Sequence, residues 1–156
     1  MIKVIFICLG NICRSPMAEA VFHAVVSEAE LAGEIEVDSA GVADWHSGEM
    51  ADPRALAVLR RHAIPYAGRS RQVQPEDLRH FDYVIAMDKQ NVADLRRLDH
   101  RGVLAGKLYR FLDFAPAGFP QDVPDPYYDD RFEYVYELVT VASHGLLEHL
   151  RREHRL

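Results

Sequence analysis

The chain holds two cysteines, Cys8 and Cys13, and the first opens the run Cys8-Leu9-Gly10-Asn11-Ile12-Cys13-Arg14-Ser15. A thiol, a guanidinium and a hydroxyl at this spacing suit nucleophilic attack on an anion. The run lies between a strand-like segment and the start of a helix-like one. A tight loop in that setting turns successive backbone N–H groups inward and makes an anion-binding nest. The helix dipole adds partial positive charge at the same place. Gly10 and Asn11 tolerate the positive φ such a cradle needs, and Arg14 offers a planar fork of donors to two phosphate oxygens. Cysteines in such a field ionise with pKa values of roughly 3.5–7.5 rather than about 8.5. Cys8 is then a thiolate aimed at the bound anion, a nucleophile for phosphoryl transfer, with Ser15 placed to donate a hydrogen bond to the sulfur. Taken alone, a cysteine at a strand end is better read as a small buried hydrophobe. The conjunction with Arg14 and Ser15 favours the chemistry.

The elements that must position these groups alternate. Ile2–Cys8 is an apolar, β-branched run of the kind covered on both faces. Ser15-Pro16 suits an N-cap and first helical position, and Met17, Ala20, Val21, Ala24 and Val25 follow at helical spacing, with Glu19 and Glu28 outside and Gly33 as the stop. Glu34–Ser39 alternates as a strand, and Gly41 to Gly48 is a loop. Asp52-Pro53 opens a helix through about His62, and Ala63 to Gln74 is a basic connector. Phe81–Met87 is a buried strand, Asn91 to Leu98 a helix, and Val103–Leu108 a weaker strand or turn. Phe114 to Pro126 holds four of the eight prolines and is expected to be irregular. A last long helix is predicted from about Asp130, where Asp130 and Glu133 could form a capping box. Such alternation implies an α/β fold, a parallel sheet with right-handed crossovers and helices on both faces. Ligands bind at the carboxyl ends of its strands, where Cys8 stands.

With 156 residues the chain suits a single domain spanning 1–156. Its formal net charge of −6 argues against coating nucleic acid, because phosphate backbones select basic stripes, yet one local positive pocket on an acidic molecule still admits a phosphorylated substrate. No apolar stretch is long enough to cross a bilayer, and Ile2 to Leu9 reads as a strand rather than a leader. Two neighbouring thiols make neither a disulfide framework nor a closed zinc site, and the eight histidines show no ligand spacing. A reducing cytoplasm, no metal and no cofactor are expected.

The run Cys8 to Pro16, together with Asp125-Pro126-Tyr127-Tyr128, resembles the signature of the low-molecular-weight protein tyrosine phosphatases. Asp38-Ser39-Ala40-Gly41, Arg71-Gln72 and Asp82-Tyr83-Val84-Ile85-Ala86-Met87-Asp88 are similar to further family segments and stand in family order across most of the chain. The resemblance implies a four-stranded sheet in the order 2-1-3-4, with the phosphatase loop after strand 1. It implies that Cys8 attacks phosphorus to form a phosphocysteine, while Arg14 and the amides of Leu9, Gly10, Asn11, Ile12, Cys13 and Ser15 bind the phosphate. Asp125 then matches the general acid, which must carry a proton into the first step and take one from water in the second. Asn11 and Ser39 match loop-bracing positions, and Trp45 and Tyr127 match two aromatic walls around a flat phenyl phosphate. The implied partners are a phosphotyrosine protein and inorganic phosphate as product and inhibitor, with no nucleic acid and no membrane.

Several of these residues have plainer readings. Asp125 is also a common turn start before proline, and Trp45 and the Tyr127-Tyr128 pair are also packing aromatics. Cys13 either packs or protects Cys8 by a reversible disulfide. One departure stands out: the family often has a His near the position of Gly68, helping to brace the loop Asn, and this chain has none. Either another group takes its place or the loop is held differently. Three rival functions fit parts of the pattern. An arsenate reductase needs thiols beyond Cys8 and Cys13. A protein-arginine phosphatase usually carries Thr where this chain has Ile12. A non-catalytic redox or anion-binding module would use the loop without Asp125. Neither the substrate protein nor the oligomeric state has a signature in the chain.

Overall fold

The computed structural model describes residues 1–156. Strand β1 (Ile2–Cys8) lies inside a sheet whose other members are β2 (Ile35–Gly41), β3 (Tyr83–Ala86) and β4 (Leu108–Arg110). The order is β2-β1-β3-β4 and every pairing is parallel, as the resemblance implies. The alternation of β1 divides the core. Val4, Phe6 and Cys8 enter the larger cluster with Met17, Phe22 and Val139. Ile5 and Ile7 enter the smaller one with Leu78 and Leu95. The larger cluster lies under α1 (Arg14–Glu28), α2 (Pro53–Arg61) and α6 (Phe132–His154); the smaller lies under α3 (Pro75–His80) and α4 (Lys89–Leu98). Phe6 is fully buried, with ring centroids 5.7 Å from Phe22 and 4.9 Å from Phe111. Burying one such side chain contributes about 1.5–3 kcal/mol.

This period carries the sulfur of Cys8 to the side of the sheet where α1 begins. The parallel register sets Cys8 beside Gly41 of β2 and Ile7 beside Ala86 of β3. The chain therefore leaves three adjacent strands at one edge, and the connections that follow them meet there.

Some boundaries differ from expectation, each for a local reason. Helix α1 starts at Arg14 with Cys13 as its N-cap; Ser15 is no cap, because its hydroxyl is taken by Cys8 and Asn11. Helix α3 was not foreseen, although Gln74 and Asp77 form a capping box around Pro75. Strand β4 lies beyond most of the expected segment, because the Asp99 carboxylate accepts the backbone N–H groups of Val103 and Leu104 and holds that stretch as a turn. The capping box expected from Asp130 and Glu133 does not form. Asp130 sits at φ 64° and closes the short helix α5 (Pro126–Asp129), while Glu133 takes Arg61 and His62 of the α2 end. Arg131 caps α6 instead, without a side-chain bond. No helix is long and apolar enough to cross a membrane.

Candidate active site

The turn from β1 into α1 wraps around the sulfur of Cys8. The backbone N–H of Asn11 points at Sγ from 3.3 Å and the Ser15 hydroxyl lies 3.1 Å from it. Asn11 adopts φ 57°, the left-handed conformation expected of a cradle residue. Its side chain is fully committed. Nδ2 donates to Ser15 Oγ at 2.7 Å and to Ser39 Oγ at 3.0 Å, and Oδ1 accepts the backbone N–H of Arg71 at 3.1 Å. Ser39 Oγ in turn donates to Glu19 Oε1 at 2.6 Å.

The end of β2 braces the same turn from below. Val42 N–H donates to the carbonyl of Cys8 and Ala43 N–H to that of Leu9, both at 2.9 Å. Gly41 is required there, because a Cβ would stand 2.8 Å from the Leu9 carbonyl oxygen and 3.0 Å from the Asn11 nitrogen. Ser70 Oγ donates to the Gly10 carbonyl at 3.0 Å.

Arg14 is 3% exposed, and a buried charge needs partners. Its NH1 group donates to Asp88 Oδ2 at 2.5 Å and to the Val123 carbonyl at 3.0 Å, and NH2 lies 3.7 Å from Asp125 Oδ2. Burial opposes the charge, but Cys8, Asp88 and Asp125 outweigh it and hold the guanidinium above its ordinary value. The Asp88 carboxylate does two jobs, since its other oxygen accepts the Asn91 N–H at 2.8 Å and caps α4. Asp125 is likewise a cap. Its Oδ1 accepts the Tyr127 N–H at 3.1 Å at the start of α5, while Oδ2 faces Arg14.

These groups share one cleft of about 170 Å³. It is lined by Cys8, Leu9, Gly10, Ile12, Cys13, Arg14 and Asp125, with Trp45, His46, Tyr127 and Tyr128 around it. Trp45 is 68% exposed, so it is not the half-buried packing residue its plainer reading made it. Every candidate residue thus lines the cleft or braces its turn. Asn11, Ser15 and Ser39 are behind the loop rather than in the lining. Cys8 and Cys13 are both free thiols. Burial first, and then Asp52, Cys8 and Asp125, push the Cys13 thiol far above its ordinary value, so Cys13 stays protonated. No three His, Cys, Asp or Glu side chains converge as metal ligands.

Sequence reasoning missed Asp88, His46 and Glu19. The strand-end position of Asp88 and its spacing to Asn91 were available as signals. His46 is next to Trp45, and its ring comes within 3.2 Å of where a Cβ on Gly10 would stand. Glu19 was placed outside α1 by helical period, yet its carboxylate turns inward to Ser39 and Tyr66.

Comparison with known proteins bears on this cleft. The family model for low molecular weight phosphotyrosine protein phosphatase matches residues 3–156. A low molecular weight protein-tyrosine-phosphatase of Streptomyces coelicolor is 47% identical, over 97% of this chain and 94% of its own. Low molecular weight phosphotyrosine protein phosphatase 2 of Drosophila melanogaster is 45% identical, over 96% of this chain and 92% of its own. The crystal structure of YfkJ from Bacillus subtilis superposes with a TM-score of 0.95 at 42% identity, covering 99% of this chain and 97% of that one.

Proposed function

The chain belongs to the low molecular weight phosphotyrosine protein phosphatases, and from that premise we propose that it hydrolyses phosphotyrosine through Cys8, Arg14 and Asp125. It is a protein tyrosine phosphatase, a phosphoric monoester hydrolase. The observation that carries the residue roles is one of convergence. The Asn11 N–H points at Cys8 Sγ from 3.3 Å, in a cleft in which Arg14 NH2 and Asp125 Oδ2 lie 3.7 Å apart.

The chemistry proceeds in two displacements. Cys8 sulfur attacks phosphorus; the S–P bond forms and the bond to the phenolic oxygen breaks. Asp125 gives its proton to that oxygen as it leaves. Arg14 and the amides of residues 9–15 hold the equatorial oxygens, and Asp88 fixes the guanidinium so that binding costs no reorganisation. Water then attacks phosphorus, Asp125 takes the water's proton, and the S–P bond breaks to release inorganic phosphate and the thiolate. Ser15 Oγ donates to the sulfur in both steps as it is released or consumed. Phosphate is thus a product that fits the same cradle and inhibits.

Trp45 and Tyr127 support an aryl substrate, since flat rings favour offset or edge contact with one another. Ile12 in the lining supports the same choice over phosphoarginine. The working unit is a single domain over 1–156, acting in the cytoplasm on phosphotyrosine proteins.

Phosphate release from an aryl phosphate tests the reading. Wild type is expected to turn over phosphotyrosine faster than phosphoarginine, and Cys8→Ser to lose at least about a thousandfold. Equal rates for wild type and Cys8→Ser would overturn it.

A further inference from the structure

We propose that Tyr66 is a positioning residue for the nucleophile, its phenol anchoring through Glu19 the hydrogen-bond chain that aims the Ser15 hydroxyl at Cys8.

The chain runs without a break. Tyr66 Oη donates to Glu19 Oε1 at 3.2 Å, and Ser39 Oγ donates to the same oxygen at 2.6 Å. Ser39 Oγ is then an acceptor for Asn11 Nδ2 at 3.0 Å, whose second hydrogen goes to Ser15 Oγ at 2.7 Å. Arg71 N–H into Asn11 Oδ1 prevents the amide from turning over. Ser15 already accepts, so its own hydrogen is available to Cys8 Sγ at 3.1 Å, with the Ala40 carbonyl at 3.4 Å as the weaker alternative. Every bond in this series has one direction, and that direction begins at a carboxylate that only accepts.

Glu19 is an expensive place to begin. Burial and Asp38 of β2 favour its protonated form, whereas Ser39, Tyr66 and Arg71 favour the charge. Arg71 is itself divided between Asp38 and Asp77 of α3. Burial prevails and raises Glu19 above the ordinary carboxylate value, and the two direct donors on Oε1 are what oppose its protonation. A proton on Glu19 would make it a donor toward Ser39 and remove the origin of the series.

Gly68 is part of the same device. A Cβ there would lie 2.4 Å from Tyr66 Oη and 2.7 Å from Cζ. The phenol fills the space into which any side chain at 68 would project, which is the position where the expected bracing His is missing. Tyr66 supplies a donor beside this position, and glycine leaves it room.

The proposal rests on Cys8 being the nucleophile, and its test does not require turnover. The rate of Cys8 alkylation by iodoacetamide is followed against pH, with the labelled peptide identified by mass spectrometry. For Tyr66→Phe the profile is expected to move to higher pH by about half to one unit, with kcat on an aryl phosphate lower by about three- to tenfold and KM little changed. Tyr66→Ala with Gly68→His, which grows an N–H donor into the vacated space, is expected to recover most of the profile. If Tyr66→Phe folds poorly, Gly68→Ala, which displaces the phenol without removing it, is expected to give the same shift. A folded Tyr66→Phe or Gly68→Ala whose profile superposes on that of wild type would overturn the proposal. A wild type that alkylates as expected but releases no phosphate would overturn the phosphatase reading instead, and the profiles would still decide the role of Tyr66.

Discussion

Ser15 directs its hydroxyl to the sulfur of Cys8 rather than to the start of α1, and Asp125 caps α5 with one oxygen while its other faces Arg14. In both residues an ordinary helix-terminus role and a chemical role compete. Ser15 makes no cap and gives its hydroxyl to the sulfur; Asp125 caps α5 and, in the proposed reaction, also carries the proton. That division bears on what Asp125→Ala removes. It takes away the proton donor and the cap together, but only the first depends on the leaving group. Hydrolysis of aryl phosphates with poor leaving groups is expected to slow by about 10²–10⁴-fold and that of good ones much less, as measured by a series of substituted phenyl phosphates. A uniform loss across the series would mean that Asp125 acts only through structure. Cys8 and Arg14 were legible from their spacing before a helix start, whereas Asp125 was legible only through the family resemblance, because alone it reads as a turn residue before proline. The roles of Glu19 and Tyr66 and the pairing of Asp88 with Arg14 were not legible, because they arise from partners 20, 47 and 74 residues away, and helical period alone turns Glu19 to solvent.

At the scale of elements, α2 is pinned at its first turn to the segment that carries Asp125. Asp52 accepts the Arg54 N–H at 2.8 Å and caps the helix. The Arg54 guanidinium reaches Asp130 at 3.1 Å and lies over the Phe132 ring at 4.6 Å. Asp52 holds its proton less tightly than an ordinary carboxylate: burial opposes this, but the hydrogen bonds and charge of Arg54 outweigh it. A depressed value contributes stability above the unfolded carboxylate pKa, which is lost as pH falls through the folded one. Asp52→Ala is expected to cost about 1 kcal/mol near neutral pH, with the gap to wild type in urea unfolding narrowing on acidification below about pH 4. A gap independent of pH would contradict the assignment. The Asp52-Pro53 start was readable because proline and cap adjoin in sequence. The expected Asp130–Glu133 box failed because Arg54 and Arg61 of α2 claimed both carboxylates, and spacing along one helix carries no information about a neighbour.

Over the whole molecule, the alternation of strands and helices was enough to give the parallel sheet and to place Cys8 at its carboxyl edge. The parallel order brings the ends of β1, β2 and β3 together, so residues far apart in the chain supply one cleft. A molecule of net charge −6 thereby sets the buried guanidinium of Arg14 at one turn. The acid partners of Arg14 come from the turns after β3 and before α5, which is why composition alone gave only permission for an anionic substrate and not its site. The consequence that most directly tests this arrangement is covalent. Acid quenching of the wild type during turnover of a phosphorus-labelled aryl phosphate, followed by peptide mapping, is expected to show the phosphoryl group on Cys8 and nowhere else. Label on another residue, or steady turnover with no labelled cysteine at any quench time, would contradict it.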